Sequence, residues 1–323
     1  MSHVLVVGST VVDLSFYTDR IPVVGETVTG RFVQGLGGKG FNQAVASALS
    51  GASTRFVSAV GPLDQDAFSP LFRDRLKTIG IQTALEPIAG EATGAAAISV
   101  DRQGKNNIIV SLGANDHLSP DFLDRHQDFF RDVGVLLLQF ETNLKVIEHA
   151  LTLARRLSPG VMTILNPAPA RTDIPGAIMD QVDLFTPNET ELELISGHKI
   201  HRDEDLLVAC AKIKGPKAIL ATLGEKGCFY YPSSGGPVSV PQIKTESKFF
   251  PAFKVKATDT TGAGDAFNGA LAAGWVESHG DLSQAIRFAS AVAAISVQRP
   301  GTSGSMPKQQ EVVDFLQQQG REL

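Results

Sequence analysis

The residues whose types and spacing best suit a chemical role lie in one short segment, from Asp259 through Gly262, Ala263 and Gly264 to Asp265. An apolar run at helical spacing follows it, which predicts that the small residues form the first turn of a helix. The N–H groups of a first turn lack helical partners and, with the helix dipole, attract anions such as phosphoryl groups. We expect Asp265 to stay ionised near neutral pH, where it could accept a proton from an attacking hydroxyl group. A glycine-rich helix start capped by an aspartate explains the segment equally well, so it leaves both interpretations open.

The elements that must position this segment alternate between strand and helix. Short apolar runs predict buried parallel strands at 4–7, 55–60, 135–138, 161–165, 184–186 and 218–222. Helical patterns lie between them, for example over 143–157 and 203–214. This alternation predicts right-handed βαβ units and a mostly parallel central β-sheet flanked by helices, in the α/β class.

Two stretches, about 13–38 and 94–112, break this alternation. The second has two β-rich runs around the turn at 101–104 and is predicted to be a hairpin. Together the stretches could form a small β-sheet above the carboxyl edge of the main sheet, where α/β proteins bind ligands. We therefore predict one catalytic domain over residues 1–323, with a small lid subdomain and no separating linker.

Composition narrows the classes of partner. The chain has 323 residues, a formal charge of -5 and scattered basic residues, which argues against nucleic acid and anionic membranes as partners. Its only cysteines are Cys210 and Cys228, so we expect no disulfide framework. We expect a cytoplasmic location for the same reason. No apolar run has the length of a membrane span, and the first residues lead directly into a strand without a signal peptide pattern.

A glycine-rich segment, Gly35 to Gly40, formally matches a dinucleotide-binding fingerprint. The match is weak because the segment does not follow the first strand and no acidic residue lies about 20 positions further on. It is not a phosphate-binding Walker A loop either, since Gly40 follows Lys39 where Ser or Thr is required. The glycines instead let the backbone and Asn42 approach a polyhydroxylated ligand, to which Lys39 offers a charge.

Several predicted strand ends carry polar residues. Asn188 and Glu191 could form a helix-capping box, and they could also hold waters around a magnesium ion. The segment 222–227 could contact a nucleotide phosphate or form a plain glycine turn. Asp13 and Glu141 could accept hydrogen bonds from sugar hydroxyls, although each alone is equally typical of a solvated loop.

Seven motifs in a fixed order carry a resemblance to a known family. They are Gly8-Ser9 with Asp13, residues 25–30, Gly37 to Gly40 with Asn42-Gln43-Ala44, Gln139 with Glu141, residues 166–170, residues 187–191, and Asp259 to Asp265. In this order they resemble the ribokinase branch of the PfkB family of carbohydrate kinases, along nearly the whole chain. The resemblance implies a ribokinase-like fold with a small β-sheet lid. It also implies ATP-dependent phosphorylation of a sugar.

The resemblance also implies roles for individual residues. Asp265 would be the catalytic base, with Gly262, Ala263 and Gly264 as the anion hole. The sugar would contact Asp13, Gly38, Lys39, Asn42, Glu141 and Asp265. The nucleotide would lie against Asn188, Thr222, Gly224, Gly227 and Gly264, with Glu191 binding Mg²⁺ through water. A monovalent cation, usually K⁺, would lie near Asp259, the Thr261 carbonyl, Ser296, Arg299, Gly301 and Ser305. Lid strands would pair two subunits in a homodimer.

The resemblance implies D-ribose as the preferred substrate, with its 5-hydroxyl group as the phosphoryl acceptor. Many ribokinases carry Asn where this chain has Val11, and the loss of that amide makes 2-deoxyribose the alternative. Phe41 replaces a usually small residue and is expected to add bulk near the pocket. Another sugar or nucleoside kinase, a sugar-binding regulator without catalysis and a dinucleotide oxidoreductase are the other hypotheses. The segments 244–250 and 62–68 depart from the family pattern without a mechanistic interpretation.

Overall fold

The computed structural model describes residues 2–233 and 246–320, which form two β-sheets and surrounding helices. The strands are β1 His3–Val7, β2 Val11–Tyr17, β3 Arg31–Gly37, β4 Thr54–Val60, β5 Gln82–Pro87, β6 Gly94–Val100, β7 Asn106–Ser111, β8 Val133–Gln139, β9 Met162–Asn166, β10 Leu184–Phe185, β11 Ala218–Thr222, β12 Gly227–Pro232 and β13 Lys248–Pro251. The α-helices are α1 Lys39–Leu49, α2 Ser69–Ile79, α3 Pro120–Arg125, α4 Leu144–Leu157, α5 Gly176–Met179, α6 Glu189–Ser196, α7 Asp203–Lys212, α8 Ala263–Glu277, α9 Leu282–Ser296 and α10 Gln309–Gln318.

The main sheet has the strand order β13-β12-β11-β10-β9-β8-β1-β4-β5. Seven of these strands run parallel to one another: β11, β10, β9, β8, β1, β4 and β5. Strands β12 and β13 continue the sheet beyond β11 in antiparallel pairing. The six predicted strands correspond to β1, β4, β8, β9, β10 and β11, which confirms the parallel α/β class. Of the unusual segment 244–250, residues 244 and 245 lie outside the described residues, and 248–250 belong to β13.

The main sheet is covered on both faces, because successive strand residues point to opposite sides. In β1, Val4 and Val6 belong to the apolar cluster under α1, α8 and α9, whereas Leu5 and Val7 belong to the cluster under α4 and α7. This burial on both faces explains why the parallel strands are continuous apolar runs in the sequence.

The small sheet has the order β3-β2-β6-β7, and the predicted hairpin is β6 with β7. Strand β2 begins four residues after β1 ends, so the small sheet starts at the carboxyl end of β1. That end of the main sheet is the edge at which α/β proteins hold their ligands. Among the described residues, no helix is both long and apolar enough to span a membrane.

Candidate active site

The predicted helix start is the first turn of α8. Gly262 is its N-cap residue with φ of 76°, a left-handed conformation that favours glycine. A Cβ at Gly262 would also lie 3.2 Å from the backbone of Thr302, so the glycine permits the close approach of that loop. Gly264 is exposed, and a Cβ there would meet no atom within 4 Å. The open side of this turn is therefore at residue 264.

Not all three amides of this turn are free. The N–H of Ala263 donates to the carbonyl oxygen of Thr260 at 3.2 Å, because the left-handed Gly262 closes a tight turn. The prediction of an unpaired amide is thus wrong for Ala263. Within the described residues, the N–H groups of Gly262 and Gly264 have no hydrogen-bond partner. These two donors and the helix dipole remain available to an anion.

Asp265 is in the same turn, and its side chain is held by two amides of α1. Its carboxylate accepts hydrogen bonds from Asn42 Nδ2 at 3.0 Å and from Gln43 Nε2 at 2.9 Å. Burial raises the pKa of Asp265, although the charge of Lys39 and these two amide donors act in the opposite direction. Ionisation near neutral pH stays a prediction, and it depends on those three neighbours.

Behind Asp265 lies a buried chain of amides that has no assigned role in the sequence analysis. Gln43 Nε2 also donates to Asn166 Oδ1 at 3.1 Å, and Gln43 Oε1 accepts from Gln139 Nε2 at 2.6 Å. The Gln43 amide thereby uses both of its hydrogens and its oxygen, which fixes its orientation towards Asp265. The only sequence signal for these residues is their position in the family-like motifs.

A second branch of this network connects the ends of β9 and β10 to α8. Asn166 Nδ2 donates to the Thr186 carbonyl, and the Thr186 hydroxyl donates to Asn268 Oδ1 at 2.6 Å. Asn268 in turn donates to the Gly264 carbonyl at 2.9 Å. The ends of β9 and β10 are thus linked to the first turn of α8, a connection that sequence patterns did not indicate.

The acidic residues predicted to bind sugar lie around the start of α1. Burial, with the charges of Glu141 and Asp265, raises the pKa of Asp13 to about 6. Glu141 Oε2 accepts from the Ser9 hydroxyl at 2.5 Å and from the Lys39 N–H at 2.8 Å. Burial lowers the pKa of Lys39, but the charges of Asp265, Glu141 and Glu191 together raise it. The charges of three carboxylates therefore act on one half-buried lysine.

The site also contains an unsatisfied acceptor. Asn42 is buried, and its Oδ1 atom has no hydrogen-bond partner among the described residues. A buried acceptor of this kind matches a hydroxyl donor from a ligand. Gly38, with φ of 90°, is the N-cap residue of α1, and a Cβ there would lie 2.7 Å from the Val11 nitrogen. Glycine is therefore required where the chain enters α1.

Two departures from the family pattern have different outcomes. Phe41 is fully buried and packs edge to face on Phe72 with ring centroids 5.0 Å apart. The prediction that Phe41 adds bulk near the pocket is wrong, since the ring fills the core between α1 and α2. Val11 is buried at the start of β2 and offers no hydrogen-bonding side chain.

The residues predicted to face the nucleotide meet at neighbouring strand ends. Asn188 and Glu191 form the predicted capping box of α6, and an isolated bridge joins Asn188 to Thr222. Asn188 is exposed, whereas burial raises the pKa of Glu191. Gly224 is exposed in the following turn. Gly227 has a packing role, because a Cβ there would lie 2.0 Å from the Phe250 carbonyl of the neighbouring strand.

The residues predicted to surround a monovalent cation form two connected loops. Asp259 accepts from the Thr261 and Gly301 N–H groups, each at 2.9 Å, and so joins the loops. The Ser296 and Ser305 hydroxyls donate to the Ala293 and Thr302 carbonyls, each at 2.8 Å, and Arg299 pairs with Glu311. Across the described ranges, no group of three or more His, Cys, Asp or Glu residues could hold a metal ion. A cation at these loops would depend on backbone carbonyls.

Comparisons with known proteins agree with this architecture. Residues 1–309 match the model of the pfkB family carbohydrate kinases, and the chain belongs to this family. It is 37% identical to a ribokinase of Haemophilus influenzae over 91% of both chains. It is 34% identical to a deoxyribokinase of Salmonella typhi, over 97% of this chain and 98% of that protein.

A solved structure is also similar. Arabidopsis thaliana ribokinase, complexed with ribose and ATP, superposes with a TM-score of 0.84 at 29% identity, over 98% of both chains. The recognised family and the ribokinase-like α/β fold with its second small sheet are therefore confirmed. The chain is a carbohydrate kinase.

Proposed function

We propose that this kinase transfers the γ-phosphoryl group of ATP to the 5-hydroxyl of D-ribose. The observation that carries the proposal is the first turn of α8, where Asp265 lies next to the unpaired Gly264 amide. A carboxylate that can take a proton and a donor that can bind a phosphoryl oxygen are thereby adjacent. Support for ribose comes from the ribokinase relatives and from the ribose and ATP in the similar Arabidopsis complex.

The chain's own residues suit an in-line transfer. Asp13, Glu141 and the free Asn42 oxygen accept hydrogen bonds from sugar hydroxyls and orient the acceptor. Asp265 takes the proton as the sugar O–H bond breaks. The sugar oxygen forms a bond to the γ-phosphorus while the bond to the ADP oxygen breaks. The Gly262 and Gly264 amides and the dipole of α8 stabilise the charge on the phosphoryl oxygens.

We further propose that magnesium and a monovalent cation assist the reaction. Glu191 is a single buried carboxylate near Lys39 and Asp265, which fits an ion held mostly through water and substrate phosphates. Bound Mg²⁺ would neutralise phosphate charge during transfer. The loops joined by Asp259 would hold K⁺ and so fix the position of Gly262. Activity should therefore increase when K⁺ replaces an inert organic cation at equal ionic strength.

A panel of acceptors tests the substrate. We expect turnover with ATP to be highest on D-ribose among ribose, 2-deoxyribose, a ketohexose and a nucleoside. Phosphorus coupling in NMR spectra should place the new phosphate on the 5-oxygen. Preferred phosphorylation of a ketohexose or nucleoside, or of a hydroxyl other than the 5-hydroxyl, would contradict the proposal.

One observation favours 2-deoxyribose as the second candidate. Val11 is buried and apolar, so it does not leave a polar group unpaired when a 2-hydroxyl is missing. The deoxyribokinase relative is consistent with this alternative. A higher kcat/KM for 2-deoxyribose than for ribose would replace the first candidate by the second. The same assay with Val11→Asn should shift the ratio towards ribose.

We also propose that the small sheet acts as a lid and pairs two subunits. Its outer strands expose large apolar side chains, among them Ile108, Ile109, Val110 and Phe32, with Ile109 76% exposed. Large apolar side chains exposed on both edge strands of one small sheet are typical of an interface. Ile109→Asp should shift the sedimentation coefficient from dimer to monomer, whereas Leu194→Asp, an exposed change on α6, should not. A monomeric unaltered chain at micromolar concentration would contradict this proposal.

We place the enzyme in the cytoplasm. Cys210 and Cys228 are both buried free thiols, and burial raises the pKa of each to about 12. Neither thiol therefore needs an oxidising compartment. Fractionation of the native cells should recover the activity with the cytoplasmic proteins, and recovery with a secreted fraction would contradict this placement.

A further inference from the structure

A cavity of about 160 Å³ lies at the amino-terminal edge of the main sheet. Its wall includes the first residues of β9, β10 and β11, together with side chains from β12, α8 and α9. The lining residues used below are Arg155, Asp183, Lys217, Tyr230, Trp275 and Leu282. Strand β11 separates Ala218 at this edge from Thr222 at the candidate active site, a distance of about 13 Å for four steps of about 3.3 Å. The cavity is therefore not part of the catalytic cleft.

One side of the cavity carries an excess of positive charge. Asp183 pairs with both Arg155 and Lys217, each at 2.7 Å, which leaves one net positive charge on the three side chains. Arg155 also donates to the Val161 and Gln181 carbonyls and is largely occupied by the wall. An ammonium group has three N–H donors, so Lys217 keeps donors beyond its contact with Asp183. Lys217 is the cation that can reach a ligand.

Tyr230, one of the lining residues, also carries an unpaired polar group. The residue is 1% exposed, and its hydroxyl has no hydrogen-bond partner among the described residues. A buried polar group without a partner is rare and costs free energy, so it calls for an explanation. Burial raises the pKa of Tyr230, which keeps the proton on the phenol. The hydroxyl is therefore a donor without an acceptor.

The rest of the cavity is apolar. Trp275 from α8 and Leu282 from α9 line it beside the Tyr230 ring. An apolar protein cavity of about 150 Å³ is large enough to bind benzene. The volume and lining therefore suit a flat ring or a short branched chain, with one acceptor group at the charged end.

We propose that this cavity binds a small organic monoanion, a carboxylate with a compact apolar body. The carboxylate accepts from the Tyr230 hydroxyl and the Lys217 ammonium group, while the body packs on Trp275 and Leu282. This binding does not depend on the proposed sugar substrate. The site is separate from the helix start that binds phosphate.

Benzoate is the test probe, because its ring matches the cavity and its carboxylate supplies the acceptor. Titration calorimetry with saturating ribose and ADP should detect one site, with benzamide binding at least tenfold more weakly. Tyr230→Phe preserves the ring and should weaken benzoate about tenfold, the loss of one hydrogen bond to a charged group. Lys217→Gln should weaken it further. Tyr231→Phe is the matched control on the same strand, since Tyr231 packs on the opposite face of the sheet.

Three results would overturn the proposal. The first is the absence of benzoate binding at millimolar concentration to the unaltered chain. The second is equal benzoate affinity in Tyr230→Phe, Lys217→Gln and Tyr231→Phe. The third is a loss of benzoate binding in Asp265→Asn, which should leave binding unchanged; such a loss would show that benzoate occupies the catalytic cleft instead. Thermal melting of each variant establishes that all are folded.

Discussion

Replacement of Gln43 by Met tests the buried amide network that orients the proposed base. Met has nearly the same shape as Gln, but it cannot donate to Asp265 Oδ1, a hydrogen bond of 2.9 Å. A hydrogen bond to a charged group contributes about 1.5–3 kcal/mol, which corresponds to about one to two pKa units. Donors stabilise the ionised carboxylate, so their loss raises the pKa of Asp265. The deprotonated base should then become available only at higher pH.

The assay is the pH dependence of kcat/KM for ribose between pH 5 and 9. We expect the acid limb of the Gln43→Met profile to move upward by about one to two units, because this limb reports protonation of the free enzyme's base. At a pH on the acid limb of both profiles, kcat/KM should fall about tenfold to hundredfold. Gln139→Met should cause a smaller shift, since Gln139 contacts only the Gln43 amide in this chain of bonds.

Stability needs its own control. Gln43→Met leaves Gln139 Nε2 and Asn166 Oδ1 without their partner, at a cost of about 1–3 kcal/mol each. Ser47→Ala removes another buried hydrogen bond of α1, to Thr54, without touching Asp265. Its pH profile should stay in place. A folded Gln43→Met enzyme whose acid limb coincides with that of the unaltered chain would refute the positioning role of Gln43.

Three further predictions concern residues around the same cleft. The pKa of Asp13 is about 6, so KM for ribose should rise below pH 6, and Asp13→Asn should abolish that rise. Because a raised carboxyl pKa destabilises the folded state at high pH, Asp13→Asn should also raise the unfolding free energy at pH 8 by about 1–3 kcal/mol in urea titrations. Gly264→Ala should stabilise α8 by up to about 1 kcal/mol yet lower kcat at least tenfold, because its methyl group enters open space at the proposed phosphate site; unchanged kcat would contradict that position. Asp259→Ala should reduce activation by K⁺, measured as the K⁺ concentration for half-maximal turnover, whereas unchanged activation would exclude these loops.

Periodicity predicted the parallel part of the fold because those strands are buried on both faces. Runs such as 135–138 are continuously apolar, and burial of β8 follows directly. Strand β5 was missed, since its sequence, from Gln82 to Pro87, alternates between exposed and buried residues at a sheet edge. The antiparallel strands β12 and β13 were also outside the predicted pattern. Strand β13 is a short edge strand that needs no continuous apolar run, and β12 beside it is buried only in its middle residues.

The candidate site was predictable where the chemistry is local and not where it depends on distant residues. The helix start at Gly262 and the Asn188 capping box follow from neighbouring residue types. The contacts of Asp265 with Asn42 and Gln43 join residues more than 220 positions apart, so no local pattern indicates them. The same limit applies to Phe41, whose packing partner is on another helix.

The most direct test of the proposed chemistry is the turnover of Asp265→Asn with saturating ribose and ATP. Asn has nearly the same shape and can stay near Asn42 and Gln43, but it cannot accept a proton. We predict that kcat falls by about 100-fold to 10,000-fold while the melting temperature stays within a few degrees. Asp74→Asn, an exposed change on α2, should keep full activity. Near-normal turnover of folded Asp265→Asn would contradict the assignment of Asp265 as the base.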